Sequence, residues 1–260
     1  MTVEKYFETV KSYKLLANKS LGQNFLVNPE MAEKIVSLLD IKKDEKVLEI
    51  GAGLGSLSFF LAENPAKIEL IDIDERMLMF LNEQFNENKN VTVKRQNILK
   101  YDLGSFDKII GNLPYYITSG IIEHILLNAT NAKKIVLMTQ KEVYPKLLNS
   151  FKSPLSLFLN YVADISSPIN VTRNNFLPVP HVDSVVFSLT PNKNIANEEN
   201  KKLSIIILSL FIVIIVCIIS MEVSRITHSL FHFLTRCKAV IVKVEILTKL
   251  VHVLGIVEIS

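Results

Sequence analysis

Apolar residues recur at helical spacing at Met31, Ile35, Leu38 and Leu39, and Asn28-Pro29 in front of them supplies a cap and a proline start, which predicts a short amphipathic helix over residues 31–39. The period then changes. Lys46-Val47-Leu48-Glu49-Ile50 is a short, mostly apolar run that ends in Gly51-Ala52-Gly53-Leu54-Gly55 and gives way to helical spacing over 56–63. The same order follows in a strand over 67–71, closing on Asp72-Ile73-Asp74, and a helix over 75–85. A third strand begins at 91–94. Lys108-Ile109-Ile110 leads into Gly111-Asn112-Leu113-Pro114-Tyr115-Tyr116, with a helix expected over 117–127, a buried strand over 134–139 and a helix over 141–148. Strands alternating with helices imply an α/β fold with a doubly wound, mostly parallel sheet. Residues before 29 read as a polar lead, and no internal repeat or low-complexity tract is present.

At 260 residues the chain fits one ordinary domain plus a small second one. With 49% hydrophobic and 21% charged residues, its averages are those of a folded globular protein. They conceal a break near Lys201. Residues 1–200 carry 22 Lys and Arg against 23 Asp and Glu, whereas residues 201–260 carry 7 against 3, so the overall charge of +3 comes from the tail. The last 60 residues contain no Asn, Asp, Gln, Pro or Tyr and are crowded with Ile and Val. The division expected is a main α/β domain over 1–190 and a small region, helical or decayed, over 191–260. The two cysteines, Cys217 and Cys237, both lie in the tail without metal-ligand spacing, which points to a reducing, cytoplasmic compartment and no structural disulfide. Glu4, Lys5 and Glu8 without an apolar core read against a secretory signal. Lys5, Lys11, Lys14 and Lys19 are the local basic cluster, either a solvated segment or a set of phosphate contacts.

The glycine turn lets the backbone bend sharply after a strand and lets a ligand approach without meeting a Cβ. By itself it is equally a tight turn that binds nothing. Asp72 strengthens the ligand reading, because it stands 21 residues beyond Gly51 at the end of the next strand, where a carboxylate accepts hydrogen bonds from both ribose hydroxyls of an adenosine. The spacing Gly51-x-Gly53-x-Gly55 departs from the dinucleotide G-x-G-x-x-G and favours a nucleoside cofactor without a pyrophosphate. Asn112-Leu113-Pro114-Tyr115 ends another strand. There an Asn oxygen and a backbone carbonyl held by Pro114 accept the two hydrogens of an exocyclic amine, and Tyr115 offers a ring for stacking on a base. The alternative is a proline turn with an incidental tyrosine.

These residues resemble the rRNA adenine N6-dimethyltransferases, and most closely the branch acting on small-subunit (16S) rRNA. The resemblance is carried by Leu21-Gly22-Gln23-Asn24-Phe25-Leu26, Glu49-Ile50-Gly51-Ala52-Gly53, Asn112 to Tyr115, Gln140-Lys141-Glu142-Val143, and Phe176-Leu177-Pro178-Val179-Pro180-His181-Val182-Asp183-Ser184. It implies a Rossmann-like fold that uses S-adenosyl-L-methionine to dimethylate N6 of two adjacent adenines near the 3′ end of small-subunit rRNA. It also implies that Asn24 and Leu26 line the cofactor pocket, Gly51 and Gly53 admit the methionine portion, Asp72 holds the ribose and Asn97 sits beside the adenine. Asn112, with Leu113 and the Pro114 carbonyl region, would take the target amine, while Tyr115 and Phe176 sandwich the flipped base. No general base and no metal are expected, the partner is the immature small subunit, and the enzyme is expected to be a monomer. Two other readings stand beside it: a large-subunit rRNA adenine methyltransferase of the macrolide-resistance type, and a non-catalytic RNA-binding assembly factor.

The chain departs from the family pattern in three places. Gln96-Asn97 replaces a Gln-Asp, exchanging a carboxylate acceptor for an amide, worth about 0.5 to 1.5 kcal/mol of cofactor affinity. His181 stands where a lysine is common and reads as a solvent-facing loop residue, and Phe151-Lys152-Ser153-Pro154-Leu155-Ser156 replaces a glycine-containing stretch. Beyond Asn200 the basic cluster of the family is absent, with only Arg236 and Lys238 hinting at it. Residues 203–221, from Leu203 to Met221, instead form an uncharged run of 19 residues, close to the roughly 20 needed to span a bilayer. A frameshifted or decayed coding end, a divergent helical domain and a membrane anchor each account for it.

Overall fold

Val47, Leu48 and Ile50 are apolar on both sides of the pleat, and the strand they form, β2 (Lys46–Ile50), is buried on both faces, as a central parallel strand must be. It pairs in parallel with β3 (Lys67–Asp72) on one edge and with β5 (Lys108–Asn112) on the other, so that Leu48 stands opposite both Glu69 and Ile109. β4 (Val91–Arg95) extends the sheet beyond β3 and β6 (Lys134–Gln140) beyond β5, both parallel. β10 (Ser184–Pro191) then runs antiparallel to β6, with Ser184 opposite Gln140, and takes both β7 (Ala163–Ile165) and β8 (Ile169–Val171) on its far edge. The order is β4-β3-β2-β5-β6-β10-β7, with β8 also on β10. A separate antiparallel pair joins β1 (Phe25–Leu26) to β9 (Phe176–Leu177). This is the doubly wound, mostly parallel α/β architecture that the alternating pattern predicts.

The computed structural model describes residues 2–13, 22–148 and 153–192, together with 206 and 210. Its contacts divide the chain into two compact units, Met1–Asn197 and Glu198–Ser260. Leu21, Lys14, Lys19, Phe151, Lys152, both cysteines, Arg236, Lys238 and the run 203–221 lie outside the described residues, except that Ile206 and Leu210 are helical. Among the described residues, no helix is long and apolar enough to cross a membrane, and no three His, Cys, Asp or Glu gather as metal ligands would.

The helix predicted over 31–39 is α2 (Pro29–Ser37), with the Asn28 side chain accepting from Met31 N as the cap signal implies. α3 (Ser56–Ala62), α4 (Glu75–Phe85), α5 (Thr118–Asn128) and α6 (Val143–Leu148) follow where the 3.6 period places them. α7 (Pro154–Val162) starts at a Ser153 cap in which Ser153 and Ser156 satisfy each other's backbone N–H. The polar lead requires correction. Residues 3–12 form a helix, α1 (Val3–Ser12), whose Tyr6, Phe7 and Val10 are buried. Those three recur at helical spacing between charged residues, and tertiary packing on α2 to α4 turns that stripe into core. Lys5 and Lys11 lie on its exposed side.

The largest core joins α1 to α4 with one face of the sheet through Ile68, Leu70, Ile110, Val136, Met138 and Val186. Alternate strand residues face the other layer, where Tyr144 of α6 packs against Phe187 at 5.4 Å between ring centroids. At the amino ends of the strands Lys133 bridges Asp107 at 2.8 Å and Glu45 at 3.6 Å, holding the starts of β2, β5 and β6 together. Gly111 allows β5 to lie close to β2. A Cβ built there meets Ile50 O at 2.9 Å and Ile50 Cβ at 3.1 Å, with backbone rather than a flexible chain end to give way. Gly111→Ala is therefore expected to lower stability by about 1–3 kcal/mol, measured as the urea midpoint of the full chain; an unchanged midpoint would show that the two strands have slack.

Candidate active site

The chain leaves β2 towards β3 and β4, then returns to place β5 on the opposite edge of β2. A crevice is left outside the carboxyl ends of these strands, the place where open α/β sheets bind ligands. A cavity of about 320 Å³ opens there, lined by Gly51, Gly53, Asp72, Asn97 and Asn112 among others. That volume lies at the low end of ordinary small-molecule sites, roughly 300–1,000 Å³.

The glycine loop forms the floor. Gly51 and Gly53 have φ of 66° and 55°, conformations that a side chain rarely adopts, and a Cβ at Gly53 would meet the Phe25 ring at 3.3 Å. Gly51 N and Ala52 N both donate to Ile71 O, at 2.9 and 3.1 Å, and Gly53 N donates to Asp72 Oδ2 at 2.9 Å. Asp72 Oδ1 accepts from Asp74 N at 2.9 Å. Asp72 thus shapes the loop with the same carboxylate that faces the cavity, retaining lone pairs for a ligand's hydroxyls. Burial pushes its pKa up, with the N–H groups of Asp74, Gly53 and Ile73 acting against that and the charge of Asp74 adding to it. Asp74 is held below the usual range first by the Arg76 guanidinium, 2.5 Å away, and further by Gln23 Nε2 at 3.0 Å.

On the other side Asn112 Nδ2 donates to Asn24 O at 3.1 Å. That bond fixes the amide orientation and turns Oδ1 out as an acceptor. The Leu113 N–H is taken by Met138 O, and the Pro114 carbonyl by Ile117 N at 3.3 Å and Thr118 Oγ1 at 3.1 Å. The Pro114 carbonyl is thus occupied within its own turn, whereas among the described residues the Leu113 carbonyl beside Asn112 accepts no hydrogen bond. Asn24 and Leu26 line the cavity from the β1 segment, where Leu26 O accepts from Ser56 Oγ. Asn97 is exposed at the rim, with Oδ1 accepting from Leu99 N at 3.0 Å to cap a short turn, and its Nδ2 is left to face a ligand.

One expectation for the base meets a difference here. Phe176 is 0% exposed in β9, opposite Leu26, and is not among the residues lining the cavity, so its ring is not presented there for stacking in this structure. Its pairing with β1 takes it into the core. The Tyr115 side chain lies outside the described residues. His181 is exposed in its loop, in line with the sequence reading. Other lining residues escaped the sequence reading. Ile73 and Leu99 are half-exposed apolar walls beside Asp72 and Asn97, and Tyr116 stands 57% exposed at the mouth. Their signal was adjacency: each lies one or two residues past a polar residue already singled out.

Glu49 was noted only as the residue before the loop. It is 2% exposed, lines the cavity and accepts from Ser58 Oγ at 2.5 Å. Burial pushes its pKa up to about 8, the Ser58 bond opposing this and the charge of Asp72 adding to it. An acid whose folded pKa is raised from 4.5 to about 8 contributes stability that is complete below pH 4.5 and is lost as pH rises towards 8. Glu49→Gln removes this dependence, so the fall in Tm of the native chain across that window should flatten in the variant; parallel Tm curves would count against a buried neutral Glu49.

The fold and this crevice are those of a Rossmann-like, S-adenosylmethionine-dependent α/β methyltransferase, and the cradle at Gly51 and Gly53, the Asp72 carboxylate and the apolar walls fit that cofactor. Residues 14–215 match the sequence profile described as ribosomal RNA adenine dimethylase. The chain is 36% identical over 195 residues to the ribosomal RNA small subunit methyltransferase A of Levilactobacillus brevis, covering 70% of this chain and 66% of that protein. It is 34% identical over 220 residues to the enzyme of the same name from Malacoplasma penetrans, covering 80% of this chain and 78% of that protein. Among solved structures it is similar to a dimethyladenosine transferase from Plasmodium falciparum, with a TM-score of 0.60 at 33% identity, over 64% of this chain and 62% of that one. It is also similar to the 23S rRNA methyltransferase ErmE, with a TM-score of 0.61 at 26% identity, over 71% and 77%. The chain belongs to the ribosomal RNA adenine dimethylase family.

Proposed function

We propose that this chain transfers methyl groups from S-adenosylmethionine to N6 of two adjacent adenines near the 3′ end of small-subunit rRNA, acting as a monomer on immature subunits in the cytoplasm. The observation that carries the reading is the pair of acceptors at the end of β5: Asn112 Oδ1, oriented by the bond to Asn24 O, and the Leu113 carbonyl beside it. Two acceptors facing one cavity match the two hydrogens of an exocyclic amine. The names of the similar sequences favour the small subunit. Residues 1–190 hold the catalytic site in this reading, and 191–260 form the second region.

When bound, the cofactor supplies a methyl group made electrophilic by its positively charged sulfur. Asn112 and Leu113 accept the amine N–H groups and so point the nitrogen lone pair along the line of attack. Asp72 holds the ribose, Asn97 the adenine edge, and Asn24, Leu26, Gly51 and Gly53 enclose the rest. No side chain needs to remove a proton before the attack, because the amine loses it to water after the new N–C bond has formed. Positioning and exclusion of water supply the rate. A second transfer requires that the acceptor pair also hold an amine with one hydrogen left, which a single acceptor does.

Asn112→Ala removes one acceptor and should lower methyl transfer from labelled cofactor to unmethylated small subunits by about 100-fold or more, while binding of S-adenosylmethionine persists. Full activity in the variant would refute the acceptor pair. Labelling of large subunits in preference to small ones would transfer the reading to the large-subunit enzymes. Cofactor binding with no transfer to either would identify an assembly factor that keeps the pocket.

A further inference from the structure

The glycine loop is fastened at its start by Ile71 O and at its middle by Asp72, but the start of α3 has no side-chain cap, because Gly55 occupies that position with a φ of 73°. What holds this end comes from far away in sequence. The Tyr6 hydroxyl of α1 donates to Leu54 O at 2.8 Å and lies 3.1 Å from Gly55 O. Tyr6 is 2% exposed, its ring is wedged against Phe59 at 4.7 Å, and Phe7, Phe80 and Phe85 surround it. The fit leaves no space at Gly55, where a Cβ would stand 2.4 Å from the Tyr6 hydroxyl and 2.9 Å from Leu81 Cδ2. Among the described residues this hydroxyl makes the one polar link from α1 to the rest of the domain. Leu54 lines the cavity and Tyr6 does not, so anything Tyr6 does for a ligand it does through the loop.

We infer that Tyr6 is a positioning residue for the cofactor: α1 is a strap whose buried hydroxyl sets the far end of the glycine loop, so that affinity for S-adenosylmethionine depends on a helix outside the cavity. The inference rests on the cofactor reading given above. Its physical basis is entropic. A loop with three residues at left-handed φ has many alternatives when free, and a ligand that needs one of them binds more weakly by the fraction of time the loop spends elsewhere. Burial raises the Tyr6 pKa well above its ordinary value, so the hydroxyl is a donor at neutral pH.

The test uses the full chain, with Tyr6→Phe, which keeps the ring and deletes the donor, and Ile35→Val, which thins the same core away from the loop. Titration calorimetry with S-adenosylmethionine should give a Kd weaker by about fivefold in Tyr6→Phe and unchanged in Ile35→Val, the factor that corresponds to one hydrogen bond. Hydrogen exchange in the ligand-free proteins should show amides 52–57 losing protection in Tyr6→Phe while β5 and β6 keep theirs. Native affinity in Tyr6→Phe, or protection lost evenly across the domain, would reduce Tyr6 to a core residue and overturn the strap. If the unaltered chain itself fails to bind the cofactor, the cofactor reading is what fails, and local loss of exchange protection still decides whether α1 holds the loop.

Discussion

β2 is hydrogen-bonded in parallel to β3 on one side and to β5 on the other, and the chain leaves these edges in opposite directions. A parallel pair requires a crossover, and crossovers wound to opposite sides leave the carboxyl ends of β2 and β5 without a covering helix between them. The site follows from that opening. Gly51 begins where β2 stops, Asp72 is the last residue of β3, and Asn112 is the last residue of β5. Three strands deliver three functions to one crevice, so their relative positions are fixed by the sheet's own hydrogen bonds. Close approach at Gly111 seats β5 against β2 beside the crevice, and the ion pairs among Glu45, Asp107 and Lys133 hold the starts of β2, β5 and β6 at the opposite end.

Two carboxylates buried side by side, Glu49 and Asp72, sit badly in such a place. Each loses hydration, and the charge of Asp72 raises Glu49's cost of ionising while that of Asp74 raises the cost for Asp72. Asp72 receives backbone N–H groups from Gly53 and Asp74, so ionisation is supported, and those same bonds shape the loop. Among the described residues Glu49 has only the Ser58 hydroxyl, and burial pushes its pKa up to about 8. The site therefore holds a carboxyl braced by backbone N–H groups at Asp72 and a more deeply buried acid with less support at Glu49. Cost and function coincide, as is common where titratable groups cluster in a cleft.

Acceptor geometry, rather than acid–base power, distinguishes the target end. Asn112 would be an ambiguous amide without its bond to Asn24 O, which decides which end faces the substrate. Pro114 contributes by fixing the turn in which its own carbonyl is consumed by Ile117 and Thr118, leaving that of Leu113 as the backbone acceptor. An arrangement that holds an amine by its hydrogens and demands no base suits a reaction whose electrophile is already charged.

The order of strands and helices between residues 29 and 148 was legible from residue periodicity, because a buried parallel strand and an amphipathic helix each impose a period on their own side chains, whereas α7 and the strands β7 to β10 beyond it were not read. Gly51, Asp72 and Asn112 were legible too, since glycine before a helix, and a carboxylate or an amide at a strand end, answer local needs. Tertiary structure decided the rest. α1 passed for a polar lead because its three buried aromatic and aliphatic residues gain meaning only when α2, α3 and α4 surround them. Phe176 was assigned to a base sandwich by its motif, but its backbone pairs with Leu26 and carries the ring into the core, which no local pattern records. Which of the Leu113 and Pro114 carbonyls is left open could not be read from the motif, because it depends on hydrogen bonds made within a single turn. Tyr6 reaches Leu54 across 48 residues. Side-chain periods are written along the chain, whereas a contact between distant segments exists only once the sheet has set their distance.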